Sequence, residues 1–136
     1  MLRQLSLVDL QSAIQNKIEE KTKLPCYDAV PDNAPSPFYN AQIVGKRQEN
    51  TKNMYCEVFT VWIHAIAESS NSSVPIYELI EKLEEALSEE INLPSYVELI
   101  RQSELGLQSL QTDETNEKHA VIAYEIKVCY GFMAKI

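Results

Sequence analysis

Four of the chain's six prolines crowd into one short segment, at Pro25, Pro31, Pro35 and Pro37. Proline fixes φ and lacks a backbone N–H donor, so neither a helix nor a central strand can pass through this segment. We therefore expect residues 26–30 to form a short strand and the residues after them to form a rigid connector. Regular structure has to lie on either side of that connector.

Residues 6–23, before the prolines, have the pattern of an amphipathic helix. Ser6 can cap the free amides of the first turn, and Asp9 follows three residues later, as in a capping box. Apolar residues then recur at steps of three or four, at Leu7, Leu10, Ile14 and Ile18. This spacing predicts one buried stripe, with Pro25 ending the helix.

Two extended runs, residues 39–49 and 54–67, flank a polar turn at residues 50–53. The second run is rich in aromatic and β-branched residues, which are typical of strands. Two such runs around a four-residue turn predict a long β-hairpin.

The remaining elements alternate between helix and strand patterns. Residues 74–89 predict a second helix, residues 96–104 a strand, and residues 106–118 a polar, turn-like stretch. Residues 119–132 predict the last strand, with alternating apolar residues on one face: Ile122, Tyr124, Ile126, Val128, Tyr130 and Phe132. We predict an α+β fold in a single domain over residues 1–136. Its largely antiparallel sheet has about four to five strands and carries two helices packed on one face.

Charge and cysteine usage exclude several classes of protein. The net charge is −8, which disfavours nucleic-acid wrapping and binding to an anionic membrane, since both need a cationic surface. The longest apolar stretch, residues 58–67, is too short to span a bilayer. Cys26, Cys56 and Cys129 are odd in number and widely spaced, so we expect no disulfide framework, no zinc ribbon and a reducing compartment. A soluble protein made inside the cell fits this pattern.

The sequence contains no residue pattern typical of a catalytic site, and we expect no cofactor. His64 and His119 lack the neighbours of a metal site. His64 lies mid-strand among apolar residues, so a core or interface histidine is expected there. Cys56 and His64 share one side of a strand but lie eight residues apart, about 26 Å at ~3.3 Å per residue, so they cannot act together. The loop carboxylates are expected to be solvated, and this applies to Asp28, Asp32, Asp113, Glu114 and Glu117.

A small basic group lies near the predicted hairpin tip, at Lys46, Arg47 and Lys52, with Tyr55 close by. Three positive charges would supply at most a weak phosphate contact. A charged edge that keeps the strand soluble is the favoured interpretation. These four residues are also the candidates for a subunit or partner interface.

The proline connector resembles the signature of the tail-completion (tail-terminator, head–tail joining) proteins of long-tailed phages and prophages. The resemblance rests on Pro31, Asn33, Pro35, Pro37, Phe38 and Tyr39, followed by a hairpin that contains Val61-Trp62. It implies a structural protein of the virion tail, assembled in the bacterial host cytoplasm and without catalysis. It also implies a ring, expected to be a hexamer, that contacts the tail-tube protein and the head connector. DNA would pass through the ring without specific binding.

The alternative, from a different class, is a small α+β protein- or ligand-binding module unrelated to virions. Such a module would expose one sheet face to a peptide or small ligand. The order of elements alone does not separate the two hypotheses.

Overall fold

The computed structural model describes residues 3–132, apart from the side chain of Phe132. One mixed sheet has the strand order β1-β2-β3-β5-β4, with β1 and β2 parallel and all other pairs antiparallel. The elements in chain order are α1 (Leu7–Thr22), β1 (Cys26–Tyr27), β2 (Phe38–Gln48), β3 (Met54–Ile66), α2 (Val74–Ala86), β4 (Glu98–Thr112) and β5 (Lys118–Phe132). Neither helix is long and apolar enough to cross a membrane within the described residues.

Both helices pack on the same face of the sheet, which we call the helix face, and this confirms the predicted α+β architecture. Helix α1 lies over β1 and β2, and α2 lies over β3 and β5. The core between these layers joins α1, β3 and α2 through fully buried residues such as Ile14, Ile63 and Leu83. We call the opposite side of the sheet the open face.

Helix α1 forms over the predicted residues, and Leu10, Ile14 and Ile18 are buried as predicted. The prediction is wrong for Leu7, which is 46% exposed because the first turn of α1 lies beside a groove at the edge of the sheet. The Ser6 hydroxyl accepts a hydrogen bond from the Val8 N–H at 3.1 Å, and Lys23 ends the helix in the left-handed region at φ 62°. Helix α2 has Pro75 in its first turn and ends at Ala86, a few residues before the predicted end at residue 89.

The predicted long hairpin is present as β2 and β3, with a bulge between Ile43 and Gly45. The strand predicted over residues 26–30 is shorter, since β1 contains only Cys26 and Tyr27. Its partner residues are Tyr39 and Asn40, so β2 beyond Asn40 forms an edge of the sheet that β1 does not cover.

The prediction for residues 96–118 is wrong in its second half. Strand β4 continues to Thr112, and the turn comprises residues 113–117. Three register shifts interrupt its pairing with β5, at 99/101, 104/106 and 107/109, and Gly106 has φ +118°. Each bulge inserts one residue and reverses the alternation of faces, so the period-2 pattern that predicts a strand is lost.

The last strand, β5, has the predicted alternation. Ile122, Tyr124, Ile126 and Val128 belong to the helix-face core, with Tyr130 packed against it. The predicted place of the Phe132 side chain lies outside the described part of the chain. The intervening residues of β5 project from the open face, which is more polar, as predicted.

Candidate assembly surfaces

The hairpin tip is ordered by its own side chains. The Asn50 Oδ1 accepts from the Cys56 N–H at 2.9 Å, and the Thr51 Oγ1 accepts from the Met54 N–H at 3.0 Å. Lys52 is exposed, and the side chain of Tyr55 is 38% exposed. Both remain candidates for contact with a partner.

Lys46 and Arg47 lie on opposite faces of the sheet, each beside a carboxylate of this chain. Lys46 Nζ is 3.5 Å from the carboxylate of Glu57, which is 3% exposed and also accepts a hydrogen bond from the Tyr130 hydroxyl. Arg47 Nη2 is 3.3 Å from Glu49 and 3.4 Å from Glu125. The structure therefore does not bring the four predicted interface residues together as one basic patch.

A cluster of paired charges covers part of the open face. Glu125 contacts both Arg47 and Arg101, and Lys127 Nζ donates to Glu49 at 2.9 Å. The hydrogen bond from Lys127, with Arg47 nearby, lowers the pKa of Glu49. These five side chains satisfy one another and leave the open face charged but nearly neutral as a group.

The proline connector joins β1 to β2 through a sequence of tight local structures. The Ala34 N–H donates to the Pro31 carbonyl at 3.2 Å, and Asn33 takes a positive φ of 59°. Pro35 is exposed, and the Ser36–Pro37 peptide bond is cis. The Ser36 hydroxyl donates to Glu117 at 2.8 Å, which ties the connector to the β4–β5 turn.

The two aromatic residues that end the connector anchor β2 in the core. Phe38 is buried, and Tyr39 is fully buried. The Tyr39 hydroxyl donates to the Leu79 carbonyl of α2 at 2.7 Å, and burial raises its pKa. Phe38 and Tyr39, the last two residues of the connector motif, therefore stabilise the folded core directly.

Two cysteines form a disulfide, and the expectation of unpaired cysteines is wrong for them. Cys56 and Cys129 are 73 residues apart in sequence but are direct partners in the β3–β5 register. Cys26 is the free cysteine, and burial raises its pKa to about 12. Sequence spacing does not reveal a pair that only strand register creates, and the argument for a reducing compartment loses its basis.

The two histidines meet beside a groove that the sequence did not indicate. His64 Nδ1 and His119 Nε2 are 2.9 Å apart, and His64 Nε2 is 3.1 Å from the Gln42 side-chain oxygen. Burial lowers the pKa of both histidines, so both favour the neutral form in the folded protein. They lie at the open-face end of β3 and β5, and the interface role of His64 stays a prediction.

The groove beside them has a volume of about 950 Å³ and follows the uncovered edge of β2. We call it the α1–β2 groove. Its walls come from the first turns of α1, from the connector and from the strands: Leu7, Val8, Gln11, Ser12, Gln15, Asp28, Val30, Phe38, Asn40, Ala41, Gln42, Ile43, His64, Ile66 and His119. Val8 is 73% exposed at its rim.

The carboxylates considered for acid–base chemistry are exposed at Asp28, Asp32 and Asp113. Hydrogen bonds from Thr115 and from the Glu117 N–H lower the pKa of Asp113, which keeps it ionised. The carboxyl with a raised pKa is Glu84 on α2, because it forms a hydrogen bond with Glu104 of β4. Within residues 3–132 no group of three or more His, Cys, Asp or Glu side chains could hold a metal ion.

Comparisons with known proteins bear on the whole chain. A family model described as "Putative tail termination protein", from the phage tail terminator families, matches residues 1–136. A comparison with curated proteins finds no significant match. A chain from the solved structure "Virion of native gene transfer agent (GTA) particle" is similar in fold, with a TM-score of 0.72 and 14% identity. That similarity covers 90% of this chain and 96% of the other. From the family match over its full length, we conclude that the chain belongs to the phage tail terminator family and is a structural protein of the virion.

Proposed function

We propose that the protein forms a ring, a hexamer, on the head-proximal end of the tail tube, where it stops tube growth and joins the tube to the head connector. The observation that carries this proposal is the family match over residues 1–136. The role needs surfaces for protein contact and no catalytic group. The ring would take its place in the tail during assembly in the bacterial host cytoplasm.

The surfaces of the chain support a role in assembly. A closed ring needs two different surfaces on each copy, because each subunit contacts its neighbours head to tail. The molecule offers several distinct exposed regions, among them the hairpin tip, the open face and the α1–β2 groove. Lys52 and Tyr55 at the tip are available for contact with the tube or the connector.

The charge of the chain supports passage of DNA without specific binding. Six copies at −8 each would carry −48. The basic side chains at Lys46, Arg47 and Arg101 already contact carboxylates of the same chain. Duplex DNA is held mainly by cations placed against its phosphates, so such a ring would repel the duplex rather than grip it.

The experiment uses the pure protein and tail tubes that lack it. Sedimentation velocity across a range of concentrations should show association. Electron microscopy should show a ring on one end of each tube. Tubes assembled in the presence of the protein should stop growing once the ring is bound. A chain that stays monomeric at every concentration and does not bind the tubes would overturn the proposal.

A further inference from the structure

We propose that the ring contact is made by residues 105–112 of β4, which we call the β4 segment, packed into the α1–β2 groove of the next copy. The inference rests on the proposed ring and names its interface. It is carried by two exposed surfaces that are almost free of charge and lie at opposite edges of one sheet.

The β4 segment is a run of eight residues without a charged side chain, in a chain where 32 of 136 residues are charged. Leu105 and Leu107 are each 51% exposed, and Leu110 is 39% exposed. Leucines exposed side by side on one strand form an apolar surface of the kind that marks contact with another protein. The polar residues between them, Gln108, Ser109 and Gln111, are neutral.

The helical layer explains why these leucines are exposed. Leu107 and Leu110 are opposite Ile122 and Ala120 of β5, so they belong to the helix face. Helix α2 packs mainly on β3 and β5. It approaches β4 at Glu104, through Glu84, and leaves the leucines that follow Glu104 exposed. The sheet is therefore one strand wider than its helical cover at this edge.

The groove at the other edge is similar in character. Of its lining residues, only Asp28 has a formal charge at neutral pH, since both histidines favour the neutral form. Leu7 at 46% and Val30 at 42% exposure form apolar rims along with Val8. Amide and hydroxyl side chains, such as Gln11, Gln15 and Ser12, complete the walls.

The contact is one of side chains rather than an extension of the sheet. The Gln11 side chain donates to the Ala41 carbonyl at 2.9 Å. This bond already satisfies one backbone group of the uncovered β2 edge. On β4 the three bulges disrupt the regular row of backbone groups, a known defence against strand addition.

Charge decides which surfaces of two copies can meet. Each copy carries −8, so two copies repel, and bringing charged patches together also costs desolvation. Contact between two uncharged surfaces avoids both costs and buries the leucines. Because the two surfaces differ and lie at opposite edges, the contact is head to tail and can close a ring. Pairing of the leucines with themselves would instead stop at a two-fold dimer.

The test compares a groove variant, Val8→Lys, with a segment variant, Leu107→Lys/Leu110→Lys. All three side chains are exposed, so equal urea midpoints should show that the variants fold. We expect each variant alone to associate at least tenfold more weakly than the wild type in sedimentation velocity. Ile100→Lys is the matched control, because Ile100 is 47% exposed on the same strand but outside the segment, and it should associate like the wild type.

Mixing the two variants gives the sharper readout. Each retains one intact surface, so a head-to-tail contact predicts a dimer of one copy each that grows no further. Normal association of either variant, or a mixture without this dimer, would overturn the interface while the ring proposal stands. If the wild type assembles only on tail tubes, the same variants are compared by co-sedimentation with tubes. A wild type that fails in both settings contradicts the ring itself.

Discussion

Two exposed regions of the molecule differ in what their side chains contact. One is the hairpin arm, residues 43–59 of β2 and β3, and the other is the β4 segment. In the arm, Lys46 and Arg47 contact carboxylates of the same chain, and Cys56 is cross-linked to β5. In the β4 segment, Leu105, Leu107 and Leu110 face solvent.

This difference shows that residues that stand out in the sequence are not always free to contact another protein. The basic residues near the tip stand out in an acidic chain, and that is also why carboxylates are at hand to pair with them. The leucines of residues 105–110 are unremarkable in sequence because leucine usually indicates core. Their exposure makes them the better candidates for contact with another copy.

The largest expected effect comes from reducing the disulfide, which holds the hairpin arm to β5. Closing a loop across 73 residues of sequence restricts the unfolded chain, a contribution of about 4 kcal/mol in the chain-entropy model. We expect a reductant to lower the free energy of unfolding by roughly 2–4 kcal/mol in urea titrations.

Cys56→Ser/Cys129→Ser is the matched control for that measurement. It should have the reduced stability from the start and should not respond to reductant. Equal stability of the wild type in oxidising and reducing buffer would show that the arm does not depend on the cross-link.

A smaller effect on stability is expected from charge reversal in the arm, where Lys46 contacts a buried carboxylate and Lys52 is exposed at the tip. Lys46→Glu places a negative charge beside the buried carboxylate of Glu57, so we expect about 2 kcal/mol of destabilisation in urea. Lys52→Glu is the control. It makes the same charge change at an exposed tip residue and should stay within about 0.5 kcal/mol of the wild type. Similar losses for both variants would contradict the distinction between them.

The smallest effect concerns the histidines that line the α1–β2 groove. Burial lowers the pKa of His64 and His119 below the ordinary value of 6.5, so the unfolded chain takes up protons first as the pH falls. Above pH 6.5 both histidines are mainly neutral in the folded and in the unfolded chain, so they have little effect on stability there. Below pH 6.5 the unfolded chain binds protons more readily than the folded one, so the free energy of unfolding should decrease as the pH falls. Attraction from Asp113 opposes part of the shift at His119.

Urea titrations between pH 7.5 and 5.5 measure this effect. Glu49, Glu89 and Asp113 have lowered pKa values in the folded protein, so the stability they supply begins to fall only near their ordinary pKa values of 4.5 and 3.8, below this window. The raised pKa of Glu84 acts in the opposite direction, because the folded protein binds that proton first as the pH falls. His64→Gln should flatten the slope. A slope unchanged by this substitution would assign the pH dependence to other groups.

Local structure could be predicted from the sequence wherever the type of one or a few nearby residues determines it. Ser6 begins α1, the prolines define the connector, and the alternation from Ile122 to Val128 identifies β5. These signals depend on near neighbours in the chain, so no knowledge of the fold is needed to interpret them. The full length of β4 could not be predicted, because its bulges interrupt the alternation on which a strand prediction depends.

The sequence by itself determined the fold class, the two helices, the hairpin and the resemblance to tail terminators. Only the tertiary structure decided which side chains remain available. The register of β3 against β5 pairs Cys56 with Cys129 and brings His64 to His119, and the width of the sheet beyond α2 exposes Leu107 and Leu110. These facts depend on contacts between residues far apart in the chain, and such contacts are set by how the layers pack rather than by any local pattern.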